Sequence, residues 1–187
     1  MKLQTHIAFG LFFGMLFYYL LGFGFEFVLI TGFAAFIPDI DWVMQNKWGM
    51  GSVHRKLLHN IWVMVAIIII TYVLTTSLLL SFGIIIGFLS HLIADSLTVQ
   101  GISWLYPYGY KQKLYFSGHF VTGSDKEKII QIILLIASGF MFVSKGMLID
   151  IFSLEGIISL VVIVAVGYAL MQNFSRMIVK AIRNLNI

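Results

Sequence analysis

Four histidines and three aspartates stand where an apolar sequence has least use for them: His6, Asp39, Asp41, His54, His59, His91 and Asp95. Each lies in or beside an apolar run, where an ionisable group costs about 2.5–3.5 kcal/mol to insert into a bilayer and so requires a partner or a purpose. The chain has five His and eight acidic residues in all, so this set takes most of its imidazoles. His91 and Asp95 are four apart, about 40° around a helix, close enough to share one ion or to hydrogen-bond, with Thr98 continuing the same face. His54 and His59 are five apart, about 140° around a helix, and converge only if His54 precedes the helical register. His54 is therefore expected in a loop. Asp39 and Asp41 flank the break that Pro38 imposes, where two carboxylates one residue apart can point into a common cavity or bridge two ions.

This mixture of imidazole and carboxylate suits Zn²⁺, with Mn²⁺ and Fe²⁺ as alternatives. The chain has no cysteine, so thiolate ligands and disulfides are excluded. Seven candidates exceed what one tetrahedral ion takes, which predicts one or two divalent ions with Asp39, Asp41 or Asp95 as the bridge. Such an ion lowers the pKa of its water toward about 7, the chemistry of hydrolysis at phosphorus or a carbonyl. Asp39 or Asp41, where not ligating, is then a candidate general base. Arg55, beside Lys56, offers a planar fork of donors for a phosphate, although positive charge at a cytoplasmic boundary explains both residues equally well. Glu127 is read as an outer ligand or general acid, or as the partner of Ser124 in a capping box. His119 falls in a long loop and is expected at the surface or behind a ligand. The competing function for the cluster is a proton or ion relay in a transporter, which would extend polar residues through the whole membrane depth. A third class, a scaffold without catalysis, leaves the cluster without a use.

The elements that must position these residues are membrane helices. The composition is 60% hydrophobic and 11% charged, with mean hydropathy +0.97, outside the balance of a soluble domain. Apolar runs approach the roughly 20 residues needed to cross a bilayer, and the short alternating segments of a membrane barrel are absent. The predicted fold is all-α, a polytopic bundle in one domain over 1–187, with spans near 3–22, 25–44, 57–79, 83–103, 129–149 and 155–174. The metal-site core falls in 6–127 and a C-terminal helical pair in 129–174. The first run is expected to be a retained span, because it contains His6 and lacks a small-x-small cleavage site. Eleven of the twelve Lys and Arg fall on one side of this topology and Lys145 alone on the other, placing both termini and all seven site residues toward the cytoplasm. The pairs Gly10/Gly14 and Gly83/Gly87 have the spacing that lets helices pack closely.

Thr5-His6, Pro38-Asp39-Ile40-Asp41, His54-Arg55-x-x-x-His59, Gly87-x-x-Ser90-His91-x-x-x-Asp95-x-x-Thr98-x-x-Gly101, Pro107 and Gly123-Ser124-x-x-Glu127 occur in this order. Together they resemble the YdjM-type inner-membrane family described as metal-dependent hydrolases. The chain departs from that pattern at Leu58 and Asn60, where the family often has Thr and Ser, and at Trp42, where a His is common. The resemblance implies a hydrolase of the inner membrane whose ion is held by the His and Asp set over 6–127. The His-x-x-x-Asp element is also similar in kind to helical zinc-dependent phospholipases C, which implies phosphoester chemistry. A site at the membrane boundary suits an amphipathic substrate, a phospholipid or a lipid-linked phosphate. The aromatic stretch from Trp104 to Tyr108, with Tyr110 and Tyr115, suits the headgroup level. Nucleic acid is not an expected partner, because the basic residues are spread over several loops and the net charge of +4 follows from topology.

Overall fold

The structure is a computed structural model that describes residues 1–48, 55–108 and 119–144. His54, Tyr110, Tyr115, the expected span 155–174 and the end of the expected span 129–149 lie outside the described residues. Among the described residues every regular element is helical, and the only strand-like pairing is an isolated bridge between Thr98 and Phe120. The helices are α1 (Leu3–Leu21), α2 (Phe25–Ala34), α3 (Ile40–Trp48), α4 (Ile61–Thr75), α5 (Leu78–Ser96) and α6 (Asp125–Ser144). Of these, α1, α5 and α6 are long and apolar enough to cross a membrane, and α4 is apolar but shorter.

The expected second span, 25–44, is not one helix. It stops at Ala34, tightens into a 3-10 turn over Ile37–Asp39 and restarts as α3. Pro38 is the cause: it has no N–H to give the carbonyl four residues back, and its ring crowds the preceding turn. The expected fourth span is displaced toward the N-terminus, because the apolar run from α4 into α5 is interrupted only by Thr75-Thr76-Ser77. Thr76 adopts a left-handed conformation (φ 52°), and Ser77 caps α5 by accepting from the Leu80 amide at 3.2 Å. Such a cap satisfies a helix donor that has no intrahelical partner. Gly22 ends α1 at φ 71°, a conformation in which a Cβ is disfavoured, and turns the chain back into α2.

α2 packs between α1 and α5, α6 lies on α1, and α4 lies on α5. Glycines on both neighbours make the first of these contacts close. A Cβ on Gly10 of α1 would sit 2.6 Å from the Thr31 carbonyl oxygen and 2.7 Å from the Ala35 Cβ. A Cβ on Gly87 of α5 would run into the same Thr31 oxygen and lie 2.6 Å from the Ala34 Cβ. The last turn of α2 is thus held between two glycine faces, as expected where small residues let backbones approach. The outward faces of α4 (Ile69, Ile70, Val73, Leu74) and α6 (Ile132, Ile133, Ile136, Phe140) are exposed and apolar, the surface that lipid covers.

Replacing Gly87 with Val is expected to destabilise the detergent-solubilised protein by about 1–3 kcal/mol, the usual effect of overpacking. Gly139→Ala on α6, where an added Cβ meets nothing within 4 Å, is expected to leave stability unchanged. Thermal unfolding of the two variants beside the wild type checks this, and equal midpoints for all three would contradict the packing.

Candidate metal centre

Pro38 has a second effect on the backbone. The Ala35 carbonyl would ordinarily accept from the Asp39 amide, but that amide bonds the Phe36 carbonyl at 3.1 Å as the chain tightens. The freed Ala35 oxygen instead accepts from His91 Nδ1 at 2.7 Å. A carbonyl only accepts, so this bond places the His91 proton on Nδ1 and leaves the Nε2 lone pair facing inward. His59 is fixed in the same way. Its Nδ1 lies 2.9 Å from Asp41 Oδ2, a carboxylate that also accepts from the Leu58 amide at 3.4 Å. Asn60 holds His59 at the entry to α4: its side chain accepts from the Val63 amide as N-cap and donates to the Leu57 carbonyl at 2.8 Å.

The two Nε2 atoms face each other at 3.0 Å, with ring planes inclined at 66°. This is the separation of an N–H···N hydrogen bond with the proton on one nitrogen, and a metal ion bound by both imidazoles would take that proton's place. Asp95 Oδ2 completes the set, 3.5 Å from His59 Nε2 and 3.9 Å from His91 Nε2, and it is buried without a hydrogen-bond partner. Asp39 Oδ1 stands 3.7 Å and 3.8 Å from the same two nitrogens. Ligands about 2.0–2.1 Å from a tetrahedral ion lie roughly 3.3 Å from one another, so these separations suit one shared divalent ion. His59, His91 and Asp95 are near-completely buried, and their ligand atoms fit together as a metal group; Asp39, His91 and His6 form a second such group.

The other oxygen of Asp95 meets positive charge. Oδ1 accepts from Arg55 Nη2 at 3.3 Å and from the Met1 ammonium, while Arg55 Nη1 donates to Thr98 Oγ1 at 2.9 Å. Thr98 Oγ1 donates in turn to the Asp95 carbonyl at 2.7 Å, which ties the face predicted for His91, Asp95 and Thr98 to the guanidinium. Three carboxylates, Asp39, Asp41 and Asp95, therefore face one guanidinium and one ammonium. That leaves one negative charge in excess, which favours a bound cation.

Six of the seven candidate ligands lie within the described residues, and five of them, His6, Asp39, His59, His91 and Asp95, have ligand atoms in the two metal groups. Asp41 sits behind His59, where a carboxylate raises the basicity of a ligating imidazole and fixes its tautomer. Glu127 is elsewhere. Its Oε1 accepts from the Lys2 amide at 2.5 Å and from Thr5 Oγ1 at 2.8 Å, its Oε2 from the Gly123 amide at 2.5 Å, and its own amide donates to Ser124 Oγ. That is the cap anticipated from Ser124-x-x-Glu127, extended to join α6 to the start of α1. His119 is exposed. Trp104 is packed on the core beside Leu92 and Ile102 and donates to Ser96 Oγ, whereas Leu105 and Tyr108 are exposed. The Ala35 carbonyl escaped sequence reasoning because it is backbone, although Pro38 three residues later is a readable sign that a carbonyl nearby loses its partner. Asn60 before an apolar run was a readable cap.

A family model described as YdjM inner membrane protein matches residues 1–178. The chain belongs to the YdjM inner membrane protein family. With its three spanning-length apolar helices, it is a membrane protein. An uncharacterised protein of Bacillus subtilis, YvsG, is 32% identical over 105 residues, which is 56% of this chain and 62% of that relative, so the chain spans less than two thirds of its length. No solved structure matches.

Two variants separate the groups that hold from those that support. Asp41→Asn is expected to weaken metal affinity about 10–100-fold without abolishing it, the usual effect of removing a partner behind a ligand. Glu127→Gln is expected to lower thermal stability and leave metal stoichiometry unchanged. Calorimetric metal titration and thermal unfolding on both proteins check the pair; loss of metal in Glu127→Gln alone would reverse the assignment.

Proposed function

We propose that this protein is a membrane-bound, metal-dependent hydrolase that cleaves a phosphoester in a lipid or lipid-linked substrate at the cytoplasmic membrane face. The observation that carries the reading is the convergence of two tautomer-locked imidazoles on the unpartnered Asp95 Oδ2. His59, His91 and Asp95 hold the ion, and Asp41 and the Ala35 carbonyl keep the two imidazoles in ligating orientation. A bound Zn²⁺ or Mn²⁺ would supply an acidified water at neutral pH and polarise a phosphoryl oxygen. Asp39, slightly farther from both nitrogens and less buried than the rest of the set, is the general base or the fourth ligand. Arg55 keeps Asp95 in place with one arm, and its buried Nε has no partner among the described residues, so the guanidinium has a donor left for a phosphate oxygen.

Position supports a lipid substrate. On a six-span topology with cytoplasmic termini, the cluster sits where α1 and α6 begin and α5 ends, at the headgroup boundary. Exposed Trp42, Leu57 and Val99 are sequence neighbours of Asp41, His59 and Thr98, an apolar surround over which an acyl chain can approach laterally. Beyond this end, the buried polar side chains of α2 and α5 are uncharged hydroxyls, so these two helices offer an ion no charged path among the described residues.

Purified protein loaded with Zn²⁺ or Mn²⁺ is expected to release a phosphorylated headgroup or inorganic phosphate from mixed lipid extracts, to lose that activity with chelator and to regain it with the ion. Arg55→Ala is expected to raise KM more than it lowers kcat. No product from any extract, with unchanged metal content, would remove the hydrolase reading and favour an ion relay.

A further inference from the structure

His6 differs from the other two buried histidines in what it meets. It is fully buried on α1, and its ring is stacked on that of His91, with centroids 3.6 Å apart and planes inclined by 17°. Its Nε2 stands 3.2 Å from Asp95 Oδ1, whereas His59 and His91 lie close to Oδ2. Neither ring nitrogen of His6 completes a hydrogen bond among the described residues, so its contact with Asp95 is electrostatic.

The stacking decides whether His6 can serve the ion of His59 and His91. An imidazole lone pair lies in the plane of its ring. An ion about 2.1 Å from His91 Nε2 in the plane of that ring is well out of the nearly parallel plane of His6, so the two rings cannot direct their lone pairs at one ion. His59, inclined at 66° to His91, can. The proximity of His6, Asp39 and His91 ligand atoms therefore does not describe a single three-ligand site. Charge argues against a separate ion on His6. Asp95 Oδ1 already takes the Met1 ammonium and Arg55 Nη2. One divalent ion offsets the negative charge in excess around the cluster, and a second would leave buried positive charge without a partner.

We infer that His6 is a positioning residue of a one-ion centre and not a ligand: its ring fixes the plane of His91, and its Nε2–H, together with Arg55, holds Asp95 Oδ1 so that Oδ2 is presented to the ion. This rests on the metal-site reading above and deepens it. The Ala35 carbonyl holds His91 at a single point, Nδ1, about which the imidazole could still turn. A ring face 3.6 Å away blocks that rotation and keeps Nε2 aimed at His59. At Asp95 the logic is the same. A carboxylate oxygen only accepts, so the proton of a neutral His6 lies on Nε2 and attracts Oδ1, and a carboxylate held by one oxygen offers the other as a single ligand atom. In this way α1 orients two ligands that both belong to α5. Partners behind metal ligands commonly set affinity without touching the ion.

Co²⁺ binding to the full chain in detergent, followed by calorimetry and by proton magnetic resonance in water, tests the inference. Each imidazole on paramagnetic Co²⁺ gives one strongly shifted, solvent-exchangeable N–H signal. The wild type is expected to bind one Co²⁺ per chain and to show two such signals, from the Nδ1 protons of His59 and His91. His6→Ala is expected to keep that stoichiometry and both signals while affinity falls about 10–100-fold. His6→Phe, which restores a ring against His91, is expected to recover part of the loss, and it decides the count of signals should the alanine variant not be recovered folded. A third shifted signal in the wild type that is missing from His6→Phe, or a second Co²⁺ per chain, would make His6 a ligand and overturn the inference. Affinity equal to wild type in both variants would remove the positioning role. No bound Co²⁺ in the wild type would overturn the metal reading itself.

Discussion

Two imidazole nitrogens 3.0 Å apart in buried space are held together by a positive charge between them, a shared proton or the metal ion that replaces it. Everything else near the site maintains that confrontation. Asp41 holds the Nδ1 of His59, the end of α2 offers a carbonyl to the Nδ1 of His91, and Arg55 with Thr98 steadies Asp95 from behind. Each support comes from a different element, so the orientation of the nitrogens is a property of the fold and not of any one helix.

The fold in turn depends on small residues and one proline. Glycines on α1 and α5 admit the last turn of α2 between them, and Pro38 ends that helix where its carbonyl meets His91. A longer α2 would spend the Ala35 oxygen on its own ladder. The same break carries Asp39 and Asp41 inward on a short turn. Polar atoms in an apolar bundle are tolerated only where such partners exist, which accounts for their concentration at one end.

Much of the site was legible because apolar sequence makes charged residues conspicuous. The four-residue spacing of His91 and Asp95, the Pro38 break and the Ser124 to Glu127 cap are local relations, and local relations survive into structure. Less legible were the features that depend on neighbours. Asp41 is one residue from Asp39 by spacing, yet its near oxygen faces His59 Nδ1, a distinction set by how α3 leaves the 3-10 turn. The boundary between α4 and α5 was misplaced because three hydroxyl residues in a continuous apolar run carry no periodic signal, and the turn rests on one left-handed threonine. The stacking of His6 on His91 joins residues far apart in sequence, beyond the reach of any pattern.

The most direct measurement is the metal content of the detergent-purified protein beside His91→Ala and Asp95→Ala. Stoichiometric Zn²⁺ or Mn²⁺ in the wild type, lost or strongly reduced in both variants, is the expected result. Wild-type protein that carries no metal after incubation with either ion, or variants that retain it in full, would contradict the assignment of this cluster as a metal centre.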